Sequence, residues 1–192
     1  MPPLEEHPLK PFLPPNAKIL MLGSFPPQQK RWSMEFFYPN FQNDMWRIMG
    51  LIFFGDKHIF VDSAKRRFLR EEIEQFATEV GIALYDTAEA VYRLRDNASD
   101  NFLEIVRPTD VEELLRQLPA CRAIVTTGEK ATNEIVSRYK AEKPKIGECR
   151  PLIIGCRTLQ FYRMPSSSRA YPLALDKKAA YYHAMFNELK FI

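Results

Sequence analysis

Three adjacent serines and an arginine follow an apolar stretch near the end of the chain, in FYRMPSSSRAYPL. Short hydroxyl side chains and backbone N–H groups allow a phosphate to approach closely. Ser166, Ser167, Ser168 and Arg169 therefore form a candidate phosphate-binding segment. The same composition is also typical of an ordinary surface turn, so the interpretation depends on where this segment lies in the fold.

An asparagine and a tyrosine lie close together in a second segment, FFYPNFQNDMW. The side-chain amide of Asn43 can orient a water molecule, but it cannot remove a proton from that water at neutral pH. Asparagine is equally suited to begin a helix, which leaves a structural role open. Tyr38 can stack on a planar ligand or belong to the core, where we expect its neighbours Phe36 and Phe37.

Several common catalytic patterns are absent from the sequence. TTGEKAT lacks the order of a phosphate-binding P-loop, and there is no GxSxG motif of a serine hydrolase. The histidines and cysteines are scattered without the spacing of metal ligands: His7, His58, His183, Cys121, Cys149 and Cys156. We therefore expect no metal and no cofactor, histidines at surface or packing positions, and reduced cysteines.

Length and composition indicate one medium-sized domain over residues 1–192. A net charge of +3 does not by itself indicate a nucleic-acid-binding protein, although a local basic face can serve that purpose. Residues 1–15 are rich in proline and include acidic residues, which is unlike a signal peptide and predicts an extended lead-in. Because no apolar run reaches membrane-spanning length, we expect a cytoplasmic monomer without membrane contact.

Apolar runs alternate with amphipathic segments along the chain. The runs predict strands over residues 17–24, 82–86, 123–128 and 158–164. The amphipathic segments predict helices over residues 43–50, 62–80, 109–118 and 129–139, and a last helix capped by Asp176. Such alternation predicts an α/β protein, a three-layer α/β/α sandwich around a mainly parallel sheet of about four strands.

The expected sheet also indicates where a binding site lies, because ligands of such sheets bind beyond the carboxyl ends of the strands. The residues that follow these ends are GSFPP, LYDTAE, VTTGEK and MPSSSR. They include Gly23, Ser24, Phe25 and Asp86, and the serine segment falls at the same edge. A site is therefore predicted at this edge of the sheet.

The two chemistry-bearing segments together resemble the uracil-DNA glycosylase superfamily. MPSSS with a downstream DKxxxYY is similar to the mismatch-specific uracil/thymine-DNA glycosylase branch. Residues 38–46, with LGSFP, GIALYD, DNASDN and TTGEKA, are similar to the hypoxanthine-DNA glycosylase branch. The resemblance extends from Ile19 to the end of the chain, and it implies a single domain of this superfamily's fold with DNA as its partner.

The resemblance implies hydrolysis of the bond between a damaged base and deoxyribose, after the nucleotide has been flipped into a pocket. The mismatch-specific branch orients the water with an asparagine two residues after the glycine that ends the first strand, where this chain has Phe25. In the hypoxanthine branch the asparagine of Y-x-x-x-x-N-x-x-W has this role, which corresponds to Asn43. Tyr38 then corresponds to an aromatic residue that stacks on the flipped base.

The resemblance also implies a base-binding pocket at the end of the first two strands. The backbone amides of Ser24 and Phe25, next to Gly23, would donate to the base oxygen. Asp86 would face the edge of the base, or would cap the helix that follows it.

The implied DNA contact is made by the three serines together with nearby cations. Arg169 lies one residue earlier than the arginine of the mismatch-specific branch. Insertion into the base stack and a phosphate contact therefore both remain open for it. Lys177 and Lys178 would add an attraction that does not depend on DNA sequence.

The leading prediction is a monofunctional DNA glycosylase for deaminated or mismatched bases such as uracil or hypoxanthine. Since these loops contain no evident lysine nucleophile, we expect base removal without strand cleavage. A second hypothesis is an inactive or weakly active module that binds damaged DNA, which Phe25 and the position of Arg169 favour. A small-molecule hydrolase that uses Ser24 or one of the three adjacent serines is the third.

Overall fold

The structure of the protein is a computed structural model that describes residues 2–95 and 100–192. The strands are β1 (Leu4–Glu6), β2 (Ile19–Gly23), β3 (Val61–Asp62), β4 (Arg67–Phe68), β5 (Ile82–Asp86), β6 (Ala88–Arg93), β7 (Leu103–Pro108), β8 (Ala123–Thr127), β9 (Cys149–Ile154) and β10 (Arg157–Met164). The helices are α1 (Met45–Phe54), α2 (Arg70–Val80), α3 (Val111–Arg116), α4 (Glu129–Tyr139) and α5 (Leu175–Glu188). Most of the DNASDN motif, at residues 96–99, lies outside the described residues.

A five-stranded sheet in the order β5-β2-β8-β10-β9 lies at the centre of the fold. The first four of these strands run parallel, and β9 pairs antiparallel with β10 at one edge. Every residue of β2, β5 and β8 is buried, which explains why these strands are continuous apolar runs. The mixed α/β class is confirmed, and the four expected strands form the parallel part of the sheet. The sequence does not predict β9, because Pro151 interrupts its apolar run, as proline does in edge strands.

A second, antiparallel sheet in the order β1-β6-β7 joins the N-terminal segment to the body. β1 pairs with β6, and Phe12 forms an isolated bridge with Leu84 of β5. The proline-rich lead-in therefore folds onto the rest of the chain. The sequence does not predict this sheet, because β7 is mostly exposed or half-buried and lacks a clear apolar pattern.

The helix expected over residues 62–80 is shorter in the structure. α2 begins at Arg70, and the residues before it form a small hairpin of β3 and β4. Phe68, expected on the buried face of the helix, is buried in β4 instead. Gly81 ends α2 in the left-handed region at a φ of 90°, as expected of a glycine stop.

Two predicted helix starts are wrong in position. α3 begins after Asp110, whose side chain accepts from the N–H of Glu113 at 3.1 Å. Thr109, the first residue of the predicted helix, instead donates its hydroxyl to the carbonyl oxygen of Asp86 at 2.6 Å. Ala174 rather than Asp176 occupies the N-cap position of α5. The bond from Thr109 ties the start of α3 to the carboxyl end of β5.

The main hydrophobic core draws side chains from the central sheet and from all of the helices named above. Phe36 and Phe37 belong to it, as expected, and they lie beside the buried Trp46 at the start of α1. α1 also packs against α5. No helix in the described ranges is both long enough and apolar enough to cross a membrane.

Candidate functional site

A cleft of about 250 Å³ opens at the carboxyl ends of the parallel strands. Ten residues predicted for the base-binding pocket or the DNA contact line this cleft: Gly23, Ser24, Phe25, Tyr38, Asn43, Asp86, Ser166, Ser167, Ser168 and Arg169. Lys177 and Lys178 do not line it. Lining residues that the sequence did not single out include Arg31, Arg93, Asp100 and Thr127. Segments that are far apart in the chain thus meet in one place, while the chemical role of each residue stays a prediction.

The ends of β2 and β5 form one wall of the cleft, where Gly23 pairs with Asp86 across the sheet. A Cβ atom on Gly23 would collide with Oδ1 of Asp86 and would lie 3.7 Å from the hydroxyl of Tyr38. Only glycine therefore allows the Asp86 carboxylate to lie against this strand end. Ser24 and Phe25 follow directly and are both buried.

A histidine from the N-terminal segment contacts this carboxylate. Nε2 of His7 lies 2.8 Å from Oδ2 of Asp86, and the imidazole is only 2% exposed. Its ring lies 5.3 Å from the ring of Phe25 and 4.6 Å from that of Tyr85, measured between centroids. His7 is thus at a packing position, which is one of the two kinds of position expected for the histidines. Its contact with the cleft was missed, because no local pattern links residues so far apart in the chain.

A second carboxylate, Asp100, also lines the cleft. Burial is the largest influence on this carboxyl group and raises its pKa. A hydrogen bond with the Ser24 hydroxyl lowers the pKa in part, and the negative charge of Asp86 raises it further. Asp100 belongs to the DNASDN motif, which contributed to the family resemblance. The motif alone did not indicate a role for Asp100 in the cleft. The cleft therefore holds two acidic groups near the end of β2.

Tyr38 adopts a left-handed backbone conformation with a φ of 53°, which is costly for a residue with a bulky side chain. Its hydroxyl is hydrogen-bonded to Oγ1 of Thr127 at 2.8 Å, and its ring meets Trp46 edge-on. Burial, followed by the charge of Asp86, raises the pKa of Tyr38 well above its usual range. The phenol therefore keeps its proton at neutral pH and presents a half-buried ring to the cleft.

Asn43 lies two residues before α1, which begins at Met45 rather than at residue 43. Its Oδ1 accepts a hydrogen bond from the backbone N–H of Met45 at 2.9 Å. Arg47 donates to its carbonyl oxygen at 3.0 Å and so fixes the backbone of the turn. Asp44 rather than Asn43 is the N-cap residue of α1, although the bond from Met45 lets Asn43 support the start of the helix. Among the residues that the structure describes, no other group bonds to this side chain, so the second lone pair of Oδ1 and the two N–H groups of Nδ2 are available to a ligand in the cleft.

The serine segment follows the carboxyl end of β10 and lines the same cleft. Ser166 and Ser168 accept bonds from the backbone N–H groups two residues later, at 3.2 and 3.3 Å. Ser167 is buried, and its carbonyl oxygen accepts from the N–H of Asp44 at 2.9 Å. The segment is consequently held against the start of α1, next to Asn43.

Lys178 corrects one expectation for the DNA contact. Its side chain is 1% exposed, and Nζ donates to Oδ2 of Asp44 at 2.9 Å and to the carbonyl oxygen of Ser168 at 2.7 Å. An ammonium group buried in this way cannot also meet a phosphate. Lys177 is exposed, and Arg169 is 55% exposed with Nη2 3.4 Å from Oδ1 of Asp44. These two cations remain candidates for a phosphate contact.

Within residues 2–95 and 100–192, no group of three or more His, Cys, Asp or Glu side chains is arranged to hold a metal ion. The acidic groups of the cleft are instead paired with His7 and Ser24.

No family model and no curated protein sequence matches the chain. Its fold is similar to the solution NMR structure of a "putative Uracil DNA glycosylase" from Methanosarcina acetivorans, with a TM-score of 0.61. The two sequences are 21% identical, and the match covers 94% of this chain and 98% of that chain. At this identity, the likeness establishes a shared fold over nearly the whole length.

Proposed function

We propose that the protein is a monofunctional DNA glycosylase, which hydrolyses the N-glycosidic bond of a flipped-out deaminated or mismatched base. The observation that carries the proposal is that Asn43, Tyr38 and the serine segment line the same cleft. The shared fold with a protein named as a uracil DNA glycosylase supports it. The resemblance of the sequence to the mismatch-specific and hypoxanthine branches of that superfamily indicates the class of base.

The proposed reaction adds water across the bond between the base and the sugar. The water oxygen bonds to C1′ of deoxyribose, and the base departs with the electron pair of the broken bond. A proton from the water then neutralises the base. Asn43 orients the water, and the N–H groups of Ser24 and Phe25 stabilise the negative charge that develops on the base oxygen. Because an amide is not a general base, good leaving groups such as uracil or hypoxanthine are expected substrates.

Binding of the flipped nucleotide involves both sides of the cleft. The ring of Tyr38 stacks on the base, which stabilises binding by about 1–3 kcal/mol in related contacts. The serine segment and Lys177 contact the phosphates, which fixes the DNA without recognising its sequence. Arg169 either adds a phosphate contact or enters the base stack.

We extend the proposal to the organisation of the chain. Residues 1–192 form a single monomeric domain, and helices cover both faces of the central sheet in three layers. Support comes from the main core, which includes side chains from Leu9 in the lead-in to Phe191 near the end. Limited proteolysis that released a stable fragment would contradict the single-domain organisation.

The test is incubation of the protein with duplexes that contain uracil or hypoxanthine, followed by alkali, which cleaves DNA at abasic sites. The proposal requires strand cleavage after alkali and none before it. Asn43→Ala slows formation of the product by about 100-fold, whereas Asn133→Ala, at an exposed asparagine on α4, leaves its rate unchanged. Absence of abasic sites with the wild-type protein would refute the activity.

An inactive module that binds damaged DNA is the second candidate. One observation favours it: Oδ1 of Asn43 is already engaged by Met45, so the water-orienting group has less freedom than a dedicated catalytic amide. Retarded migration of a uracil-containing duplex without any base release would select this candidate.

A further inference from the structure

The N-terminal segment makes two separate polar contacts with residues that line the cleft. Glu5 of β1 accepts from Nη2 of Arg93 at 3.0 Å, and Arg93 also donates to the carbonyl oxygen of Pro26 at 3.0 Å. His7 lies 2.8 Å from Asp86. A segment that looks like a lead-in in the sequence is thus in contact with both Arg93 and Asp86.

The position of the His7 ring is fixed from several directions. Its backbone N–H donates to the carbonyl oxygen of Glu89 at 2.8 Å. The ring is enclosed by the aromatic rings of Phe25, Phe37 and Tyr85. Nδ1 lies 2.9 Å from the carbonyl oxygen of Leu9 and 3.1 Å from its N–H. A ring held in this way directs Nε2 at one atom, Oδ2 of Asp86.

This contact determines which oxygen of Asp86 remains available. A carboxylate has no hydrogen to donate, so Nε2 of His7 carries the hydrogen and Oδ2 accepts it. Oδ1 lies against Gly23, and no donor among the residues that the structure describes contacts it. The wall of the cleft therefore presents one carboxylate oxygen in a fixed orientation, and that oxygen can only accept.

We infer that His7 is a positioning residue for base recognition: it holds the Asp86 carboxylate so that Oδ1 accepts a ring N–H from the edge of the bound base. This inference rests on the proposed binding of a flipped base. Bases with an N–H beside a carbonyl, as in uracil and hypoxanthine, satisfy the acceptor. Cytosine and adenine present an unprotonated ring nitrogen at the same edge, whose lone pair the carboxylate repels. A polar group left without a hydrogen-bond partner in a closed site costs free energy, so the site should bind uracil and hypoxanthine in preference to cytosine and adenine.

The experiment measures binding to duplexes that carry 2′-fluoro-deoxyuridine or 2′-fluoro-deoxycytidine at one position, because the fluorine slows bond cleavage and separates binding from chemistry. We expect the wild-type protein to prefer the uracil duplex. His7→Phe, which suits the aromatic surroundings but lacks a donor, lowers the ratio of the two affinities by roughly tenfold. His7→Gln keeps a donor and retains more of the ratio. His183→Gln, an exposed position on α5, leaves the ratio unchanged.

A complementary variant keeps His7 and changes its partner. In Asp86→Asn the His7 N–H still selects the amide oxygen, so the NH₂ group turns towards Gly23 and the cleft. The preference then shifts from uracil towards cytosine, and the shift is lost when His7→Phe is combined with it. Because Asp86→Asn alone keeps His7, it decides the question if the His7 variants do not fold: a preference that does not shift towards cytosine overturns the inference.

The outcomes separate this inference from the proposed enzyme. Base release by a wild-type protein whose uracil preference survives His7→Phe overturns the role of His7 and leaves the glycosylase intact. If the preference for uracil over cytosine depends on His7 but ordinary uracil DNA releases no base, the positioning role of His7 is supported and the proposed glycosylase activity is refuted. Equal binding of both duplexes by the wild type overturns the inference.

Discussion

Asn43 combines two functions that substitutions can separate. Asn43→Ala removes the acceptor for the Met45 N–H and should cost about 1 kcal/mol of unfolding free energy, as other lost helix-start acceptors do. It should also slow base release by about 100-fold, because the water loses its orientation. Asn43→Ser keeps a short acceptor at the helix start and should restore most of the stability but not the activity. Urea denaturation and single-turnover assays measure the two effects.

An Asn43→Ser variant as active as the wild type would show that the side chain serves the helix alone. Asn133→Ala serves again as the control for both measurements, since it lies on the exposed side of α4.

The raised pKa of Asp100 leads to a prediction of how the stability of the protein depends on pH. Its pKa is raised above the ordinary 3.8, chiefly by burial. A carboxyl that binds its proton more tightly in the folded state favours folding at low pH, and this contribution is lost as the pH rises through the folded pKa. Asp100→Asn has no such titration. It should therefore stabilise the protein at neutral pH, and the difference should shrink as the pH falls towards 3.8.

Denaturation of both proteins at a series of pH values provides the measurement for Asp100. Asp176→Asn, an exposed aspartate of α5, is the matched control. A difference between wild type and Asp100→Asn that stays constant with pH would contradict the burial argument.

At the scale of the elements, the Lys178–Asp44 pair joins three parts of the structure. Lys178 belongs to α5, Asp44 precedes α1, and the carbonyl oxygen of Ser168 belongs to the serine segment. The pair thus holds the turn that carries Asn43 next to the serines. Lys178→Met leaves a buried carboxylate without its main partner and should cost about 3–5 kcal/mol.

Lys177→Met provides a matched control for Lys178→Met, because the neighbouring lysine is exposed and its loss should change stability by less than about 0.5 kcal/mol. The double variant Lys178→Met with Asp44→Asn should be more stable than Lys178→Met alone, since no unpaired charge remains. Thermal unfolding distinguishes the three. A single variant as stable as the wild type would mean that Asp44 finds another partner.

The sequence predicts some elements well and others poorly for identifiable reasons. The strands of the parallel sheet are buried on both faces, so their apolar runs are recognisable without knowledge of their neighbours. The β3–β4 hairpin was mistaken for helix because Phe68 fits the spacing of the α2 face that contains Ile73 and Phe76. β1 and β7 are short or largely exposed, and only their pairing with β6 makes them strands.

At the scale of the whole molecule, the sequence predicts where the cleft lies but not how its side chains are held. The position follows from the topology, because the carboxyl ends of parallel strands meet at one edge of the sheet. The supporting contacts join distant segments: His7 with Asp86, and Lys178 with Asp44. Such contacts depend on the completed fold and leave no local pattern. Lys178 illustrates the consequence, because its type suggests a DNA contact and its burial prevents one.

The protein has a net charge of only +3. The salt dependence of DNA binding therefore tests whether a few cations on one face make the phosphate contacts. Arg169 and Lys177 are the exposed cations proposed for the DNA contact, and Arg31 is a third exposed cation that lines the cleft. Each phosphate contact contributes about −0.9 to the slope of log K against log salt, so a slope near −3 is expected if all three make contacts. Arg169→Gln should reduce the magnitude of the slope by about 1 if Arg169 binds a phosphate. Arg116→Gln, paired with Glu113 on α3 away from the cleft, should leave the slope unchanged.

Insertion of Arg169 into the base stack would give a different result in the same titration. A side chain that fills the gap left by a flipped nucleotide stabilises the flipped complex without neutralising a phosphate. Arg169→Gln would then weaken binding to a uracil-containing duplex more than to an undamaged one, and the slope would stay close to that of the wild type. The Arg169 side chain is 55% exposed, and its 3.4 Å contact with Asp44 is long for a charged hydrogen bond, so neither role is fixed by the structure and the slope decides between them.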